Sequence, residues 1–211
     1  MAVSETAFGG LFYLVGRVLE LELGEQLWYA GLLENPVLYH AARLLTGPAA
    51  SDDPAPAVFS GTDPGSAVPF PTVEDWALAE VRDKLLATLT AELNRHLDKG
   101  AAGSAIAADL DTLATLFLLR SSIDSTGPAE QLVGLTAAAP ALLFLRRAGL
   151  PENPTDLLPI LTIPATLLMP RGRLLVTMPM SAIDLNLRRA GLDQNTGWVP
   201  WLKRKVELEY L

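Results

Sequence analysis

The spacing of apolar residues changes along this chain, and that change limits its fold more than any other feature. From residue 8 to residue 149, apolar side chains recur at helical intervals, as at Val81, Leu85 and Leu89. From residue 162 onward, short apolar runs and alternation are typical of strands instead. The chain is therefore predicted to be mainly α, with a small C-terminal α+β element made of a β-hairpin, a short helix and a final strand.

Capping and termination signals divide the first 149 residues into helices. The predicted helices span residues 8–23, 25–33, 36–47, 72–98, 105–120 and 125–149. The first is apolar almost all round, so we expect it to be buried, and Gly9 and Gly16 would let another backbone approach it closely. The spacing of four in the helix from residue 72 drifts around its surface, which predicts contact with more than one neighbour. Pro140 is expected to kink or restart the last of these helices.

The C-terminal element begins with a predicted hairpin over residues 162–169 and 173–178, in which Pro164 would place the first strand at a sheet edge. A short helix over residues 181–190 and a strand over residues 203–211 follow. The sequence LRRAGL occurs at the end of two predicted helices, at residues 145–150 and 187–192. Arginine in a last helical turn followed by glycine is a favourable helix ending, so we interpret the repeat as one ending used twice.

Residues 47–72 differ sharply from their surroundings, since they include six prolines together with glycine, serine and the pair Asp52 and Asp53. We interpret this segment as a mobile loop or linker. It separates an N-terminal helical segment, residues 1–46, from a body over residues 73–211 that carries the β element. The segment and the body are expected to form one domain.

The composition of the chain limits where the protein can be located and which classes of partner it can bind. Half of the residues are hydrophobic, only 19% are charged, and the formal net charge is -8, which argues against nucleic acid as a partner. The apolar runs over residues 135–145 and 157–169 are short or broken by prolines, so no membrane insertion is predicted. The residues after Met1 lack a positively charged leader. A cytoplasmic protein is the simplest expectation.

The sequence offers no recognisable reaction chemistry. It contains no cysteine, which excludes disulfides, thiolate metal sites and a thiol nucleophile, and only two histidines, which is too few for a multi-histidine metal site. A Gly-x-Ser-x-Gly elbow and a phosphate-binding loop are also missing. We therefore expect a non-enzymatic protein without a cofactor.

The candidate site is a loop before the final strand that combines backbone constraints with aromatic surface. Its predicted protein-interaction residues are Asp193, Gly197, Trp198, Pro200 and Trp201. Gly197 and Pro200 determine the shape of the backbone, while the tryptophans present two large amphipathic side chains. Such side chains are enriched at protein interfaces, yet they also fill cores. Both interpretations, docking surface and core plug, are open at the level of the sequence.

Two sequence blocks carry a family resemblance. Residues 8–14 read FGGLFYL, and residues 183–193 and 197–201 read IDLNLRRAGLD and GWVPW. In these blocks the chain resembles a poorly characterised group of bacterial proteins encoded with phage-tail-like contractile injection systems. The resemblance implies a structural, assembly or baseplate-associated role, with other subunits of a particle or an assembly ATPase as partners.

Two alternatives are a regulatory adaptor of a partner ATPase and a small-molecule-binding helical domain. Oligomerisation stays open. In the leading interpretation the protein acts through contacts with other proteins. It would be cytoplasmic and could be incorporated into a released or membrane-docked particle.

Overall fold

The computed structural model describes residues 2–96, 103–123, 127–182 and 184–211. Within these ranges the helices are α1 Val15–Glu20, α2 Leu23–Tyr29, α3 Glu34–Thr46, α4 Ala55–Ser60, α5 Asp75–His96, α6 Gly103–Arg120, α7 Pro128–Ala148, α8 Pro154–Leu161 and α9 Leu185–Arg189. The strands are β1 Ala2–Thr6, β2 Ala165–Met169, β3 Arg173–Met178, β4 Gly197–Val199 and β5 Arg204–Tyr210. Short 3₁₀ helices occupy Gly9–Leu14, Pro48–Ala50, Met180–Ala182 and Pro200–Leu202. The prediction of a mainly helical protein with a small β element is confirmed.

Helix α7 is the centre of the protein. It is buried from Leu132 to Leu145 and packs against α3, α5 and α6. The helix continues through Pro140 without the predicted restart. Among the described helices it is the one long and apolar enough to cross a membrane, but 78% of its most apolar stretch is buried inside the protein.

Helix α5 contacts two separate apolar clusters, as its drifting spacing predicts. Leu85, Leu89 and Leu93 belong to the main core. Val81 and Ala77, one and two turns before Leu85, belong to a second cluster that includes residues of α2 and α3. The predicted end of this helix near residue 98 lies outside the described residues.

The N-terminal region is buried as predicted, but it is not the single helix expected over residues 8–23. It forms strand β1, the 3₁₀ turn Gly9–Leu14 and the short helix α1. A side chain at Gly10 would place its Cβ 1.9 Å from the carbonyl oxygen of Ile160, and a side chain at Gly9 would place it 2.4 Å from the Cβ of Ala165. The two glycines thus let this turn lie directly against the chain that leads from α8 into β2.

The five strands form one mixed sheet in the order β1-β2-β3-β5-β4. The predicted hairpin of β2 and β3 is confirmed, and β5 runs parallel to β3. The prediction that Pro164 places β2 at an edge is wrong, because β1 pairs with the other side of β2. The strand starts at Ala165, so the missing N–H of Pro164 falls just before the ladder and removes no bond from it.

Residues 47–72 are only partly the irregular segment that we expected. Helix α4 lies within them and is buried, with Phe59 in the main core. The prolines that suggested a linker include Pro54 and Pro56, which stand at the N-cap and in the first turn of α4, where a missing N–H is tolerated. Asp53 holds the start of this helix, since its carboxylate accepts hydrogen bonds from the backbone N–H groups of Ala7 and Ala55, both at 2.8 Å. Residues 61–72 contain no helix or strand.

The two LRRAGL segments end their helices in the same way. Gly149 and Gly191 both adopt left-handed backbone conformations, with φ of 68° and 66°. In each copy the leucine after the glycine donates its N–H to the carbonyl of the first leucine, at 2.9 Å in both. The interpretation of the repeat as one helix ending used twice is confirmed.

Candidate protein-docking groove

The predicted interaction loop is divided by the fold, and Trp201 is its buried part. Only 5% of Trp201 is exposed, and its indole N–H donates a hydrogen bond of 2.9 Å to the carbonyl of Phe59 in α4. Gly61, which has a φ of 76°, lies so close that a Cβ there would be 2.6 Å from the carbonyl oxygen of Trp201. Trp201 is therefore a core residue that attaches the loop to α4.

The other residues of that loop have separate environments. Trp198 is 56% exposed in the edge strand β4, opposite Lys205. Asp193 forms an ion pair of 3.2 Å with Arg188, so its carboxylate is bound to the last turn of α9. Gly197 has a φ of 65° with open space around it. The loop does not present its two tryptophans on one surface.

A second aromatic pair, which the sequence analysis did not single out, lies on helix α2. Leu23 and Leu27 are buried one turn apart and fix the inner face of this helix. Trp28 and Tyr29 follow Leu27 by about 100° and 200° around the helix axis, so they point away from the core. They are 70% and 62% exposed, and their ring centroids are 5.1 Å apart in an edge-to-face arrangement.

The position of α2 is fixed by polar contacts as well as by packing. The side-chain amide of Gln26, itself buried, donates a hydrogen bond of 2.8 Å to the carbonyl of Leu21 and one of 3.3 Å to the hydroxyl of Thr88 in α5. Gly31 ends the helix with a φ of 73°. The exposed aromatic pair is therefore carried by a short helix that Gln26 attaches to α5 and to the chain just before α2.

A groove of about 430 Å³ separates α2 from the loop before β5. Its apolar walls come from Val18 and Leu19 of α1, Trp28 of α2, and Pro200 and Trp201 of the loop. Pro200 is held in place because Trp201 is anchored in the core. Pro200 is thus the predicted interaction residue that lines the groove with an exposed side chain, and Trp198 lies outside its lining.

The groove is acidic. Glu22, Glu25 and Glu34 contribute to its lining, and none of the lining residues, all of which lie in the described ranges, is a lysine or an arginine. The Glu34 carboxylate lies against Gly24, where a Cβ would be 2.7 Å from its Oε2 atom. Burial raises the pKa of Glu34, and the charge of Lys203 opposes that shift. Lys84 contacts Tyr29 at the side of the groove, with its Nζ atom 5.2 Å from the ring centroid.

Trp28 and Tyr29 could have been found in the sequence from the phase of the helix. A helix is predicted over residues 25–33, and its phase determines which of its residues face outward. Two consecutive aromatic residues cannot both lie on the inner face defined by Leu23 and Leu27, since neighbours are about 100° apart. No comparable signal marks Glu34, which reaches the groove only through the packing of α3 against α2.

Comparison with protein-family models, with curated proteins and with solved structures finds no match for this chain. Among the described residues, no three histidine, aspartate or glutamate side chains come together in a way that could hold a metal ion. The fold and the groove define a mainly helical protein with an acidic, aromatic-rimmed surface groove.

Proposed function

We propose that this protein is a non-enzymatic structural or assembly component of a bacterial contractile injection system, and that it acts by binding another protein through the groove beside α2. The observation that carries the proposal is the exposure of Trp28 and Tyr29 next to a concave apolar surface. Exposed tryptophan and tyrosine side chains that border a pocket are typical of interface hot spots. The contractile-system part of the proposal rests on the resemblance of residues 8–14, 183–193 and 197–201 to accessory proteins of those systems.

The groove fits a protein segment better than a small molecule. Its volume of about 430 Å³ falls in the range of small-molecule pockets, about 300–1,000 Å³, but such pockets cover most of their ligand. Here the aromatic side chains at the rim are themselves mostly exposed, so a small ligand would leave them in water. A protein partner would cover the rim and the groove together, as interfaces with a desolvated aromatic centre do.

The test is incorporation into the particle in the source bacterium. The tagged protein is purified from cells that assemble the injection system, and the sheath complex and its assembly intermediates are probed for it. We expect the wild-type protein in at least one of these fractions and the Trp28→Ala/Tyr29→Ala double variant in neither. The control is Trp76→Ala, which removes another exposed tryptophan, 60% accessible, from α5 outside the groove.

Absence of the wild-type protein from both the assembled sheath complex and its intermediates would overturn the contractile-system assignment. Equal recovery of the double variant and the Trp76→Ala control would overturn the assignment of the groove. The two parts of the proposal therefore fail separately.

A further inference from the structure

We propose that the groove binds a cationic segment of its protein partner, which inserts apolar side chains between Trp28 and Pro200 and places lysine or arginine against Glu25 and Glu34. This inference rests on the proposed function and specifies the chemistry of the partner. It commits to one occupant, a basic amphipathic segment of another protein.

The surface of the groove is concave and apolar. Val18, Leu19 and Pro200 form a concave apolar floor and wall, and Trp28 stands at the rim. The rings of Trp28 and Tyr29 meet in an edge-to-face arrangement, and 70% of Trp28 is exposed, so much of its surface is left to a ligand. Leu33, in the segment between α2 and α3, is also exposed.

The groove also carries more carboxylates than an apolar binding site is expected to have. Glu22 and Glu25 are exposed, whereas Glu34 is half-buried. Within the described part of the chain, no residue forms a hydrogen bond or an ion pair with the Glu34 side chain, although Lys203 is near enough to influence it. A partly desolvated carboxylate without a partner is stabilised by an incoming cation, because the attraction grows as water is excluded.

The negative charge of the groove argues against two other classes of ligand, nucleic acids and anionic lipid surfaces. Phosphate groups of nucleic acids and of anionic lipid surfaces would be repelled by the three glutamates that line the groove. The formal net charge of -8 on the whole chain adds to this repulsion. A lysine or arginine beside an apolar anchor gains from the carboxylates and, in addition, from the faces of the aromatic rings. The chemistry of the groove therefore matches a basic amphipathic segment.

The experiment uses the full chain and three fluorescently labelled amphipathic peptides, made from leucine with lysine, with glutamine or with glutamate. Binding is measured by fluorescence anisotropy. We expect the leucine–lysine peptide to bind at least about tenfold more tightly than the neutral peptide, and the acidic peptide not to bind. Raising the salt concentration from about 0.05 M to about 0.5 M should weaken binding of the lysine peptide.

Two matched pairs of variants separate the groove from the overall negative charge. Trp28→Ala/Tyr29→Ala should weaken binding of the lysine peptide by at least about tenfold, and Trp76→Ala by less than about twofold. Glu25→Gln/Glu34→Gln should weaken it by about fivefold to tenfold at low salt, whereas Asp52→Asn/Glu209→Gln, which removes the same charge from exposed positions outside the groove, should change it by less than about twofold. Thermal melting of each variant confirms that it is folded.

Equal affinity for the lysine and glutamine peptides, or equal effects of the two charge-removing pairs, would overturn the inference. A dimer of the wild-type chain that Trp28→Ala/Tyr29→Ala converts to monomer would also overturn it, because a second copy would then be the occupant. These results leave the proposed function standing if the Trp28→Ala/Tyr29→Ala variant is still lost from the particle. If the cationic peptide binds as expected and the wild-type protein is absent from the particle, the inference stands and the contractile-system assignment fails.

Discussion

Two tryptophans at opposite walls of one groove show how differently the same side chain is used in this protein. Trp201 is almost fully buried, and its indole N–H has a partner in the backbone of α4. Trp28 is exposed on α2. The first fixes the position of Pro200, and the second provides the surface that a partner can cover. The shape of the groove beside α2 therefore depends on an aromatic residue that is itself buried.

The largest predicted effect comes from removing the buried tryptophan. Trp201→Ala should lower the free energy of unfolding by about 3–5 kcal/mol, because it leaves a cavity and an unsatisfied carbonyl at Phe59. Trp198→Ala, in the same loop, should lower it by less than about 1 kcal/mol, since that side chain is exposed. Urea unfolding of both variants measures the difference. Similar losses in the two variants would contradict the assignment of Trp201 as the core residue of the loop.

A smaller effect should follow from filling the space beside Trp201. Gly61→Ala strains a left-handed backbone and brings a Cβ against the carbonyl oxygen of Trp201. We expect it to cost about 2–4 kcal/mol, of which about 1–2 kcal/mol is the backbone conformation alone. Gly197→Ala is the matched control, because that glycine has a similar φ and open space around it. It should show only the backbone part, so equal losses would show that the close approach at Gly61 does not matter.

The exposed tryptophan of α2 should contribute almost nothing to stability. Trp28→Ala should change the free energy of unfolding by less than about 0.5 kcal/mol. The measurement is again urea unfolding, with Trp201→Ala as the contrasting variant. A loss above about 2 kcal/mol would mean that Trp28 is part of the core in solution, and the comparison between the two walls would no longer hold.

The smallest effect is a dependence on pH at Glu34. Burial raises the pKa of this carboxyl, so its ionised form lowers stability above the folded-state pKa, and the penalty disappears as the pH falls below the ordinary value. Glu34→Gln should therefore melt at a higher temperature than the wild-type protein near about pH 7, and this advantage should vanish near about pH 3. Asp52→Asn supplies the baseline for the loss of one exposed charge. If the melting temperature of Glu34→Gln exceeded that of the wild-type protein by more at low pH than at neutral pH, the pKa of Glu34 would be shifted in the opposite direction.

The parts of the fold that were predictable from the sequence are those determined by local spacing. Helices α5, α6 and α7 and the hairpin of β2 and β3 each contain their own periodic signal. Strand β1 was missed because its five residues are ordered by pairing with β2, far away in the sequence. Helix α4 is not predicted because prolines are frequent both at helix starts and in linkers, and here they start a helix.

The candidate site was predictable only in part, for a related reason. The sequence indicated an aromatic loop before β5, but the choice between core and surface for Trp198 and Trp201 depends on α4, which packs against the loop from residues 55–60. The groove itself is assembled from α1, α2, the start of α3 and the loop, and no local pattern reports such an arrangement. Tertiary packing, more than residue type, decides which aromatic side chains a partner can reach.

We propose that the docking surface lies at α2 and that the exposed tryptophan of β4 is not part of it. The decisive experiment compares Trp28→Ala/Tyr29→Ala with Trp198→Ala in the particle-incorporation assay, at matched levels of folded protein. We expect the α2 variant to be lost from the sheath complex and its intermediates, and Trp198→Ala to be recovered like the wild-type protein. Loss of Trp198→Ala together with normal recovery of the α2 variant would contradict this proposal.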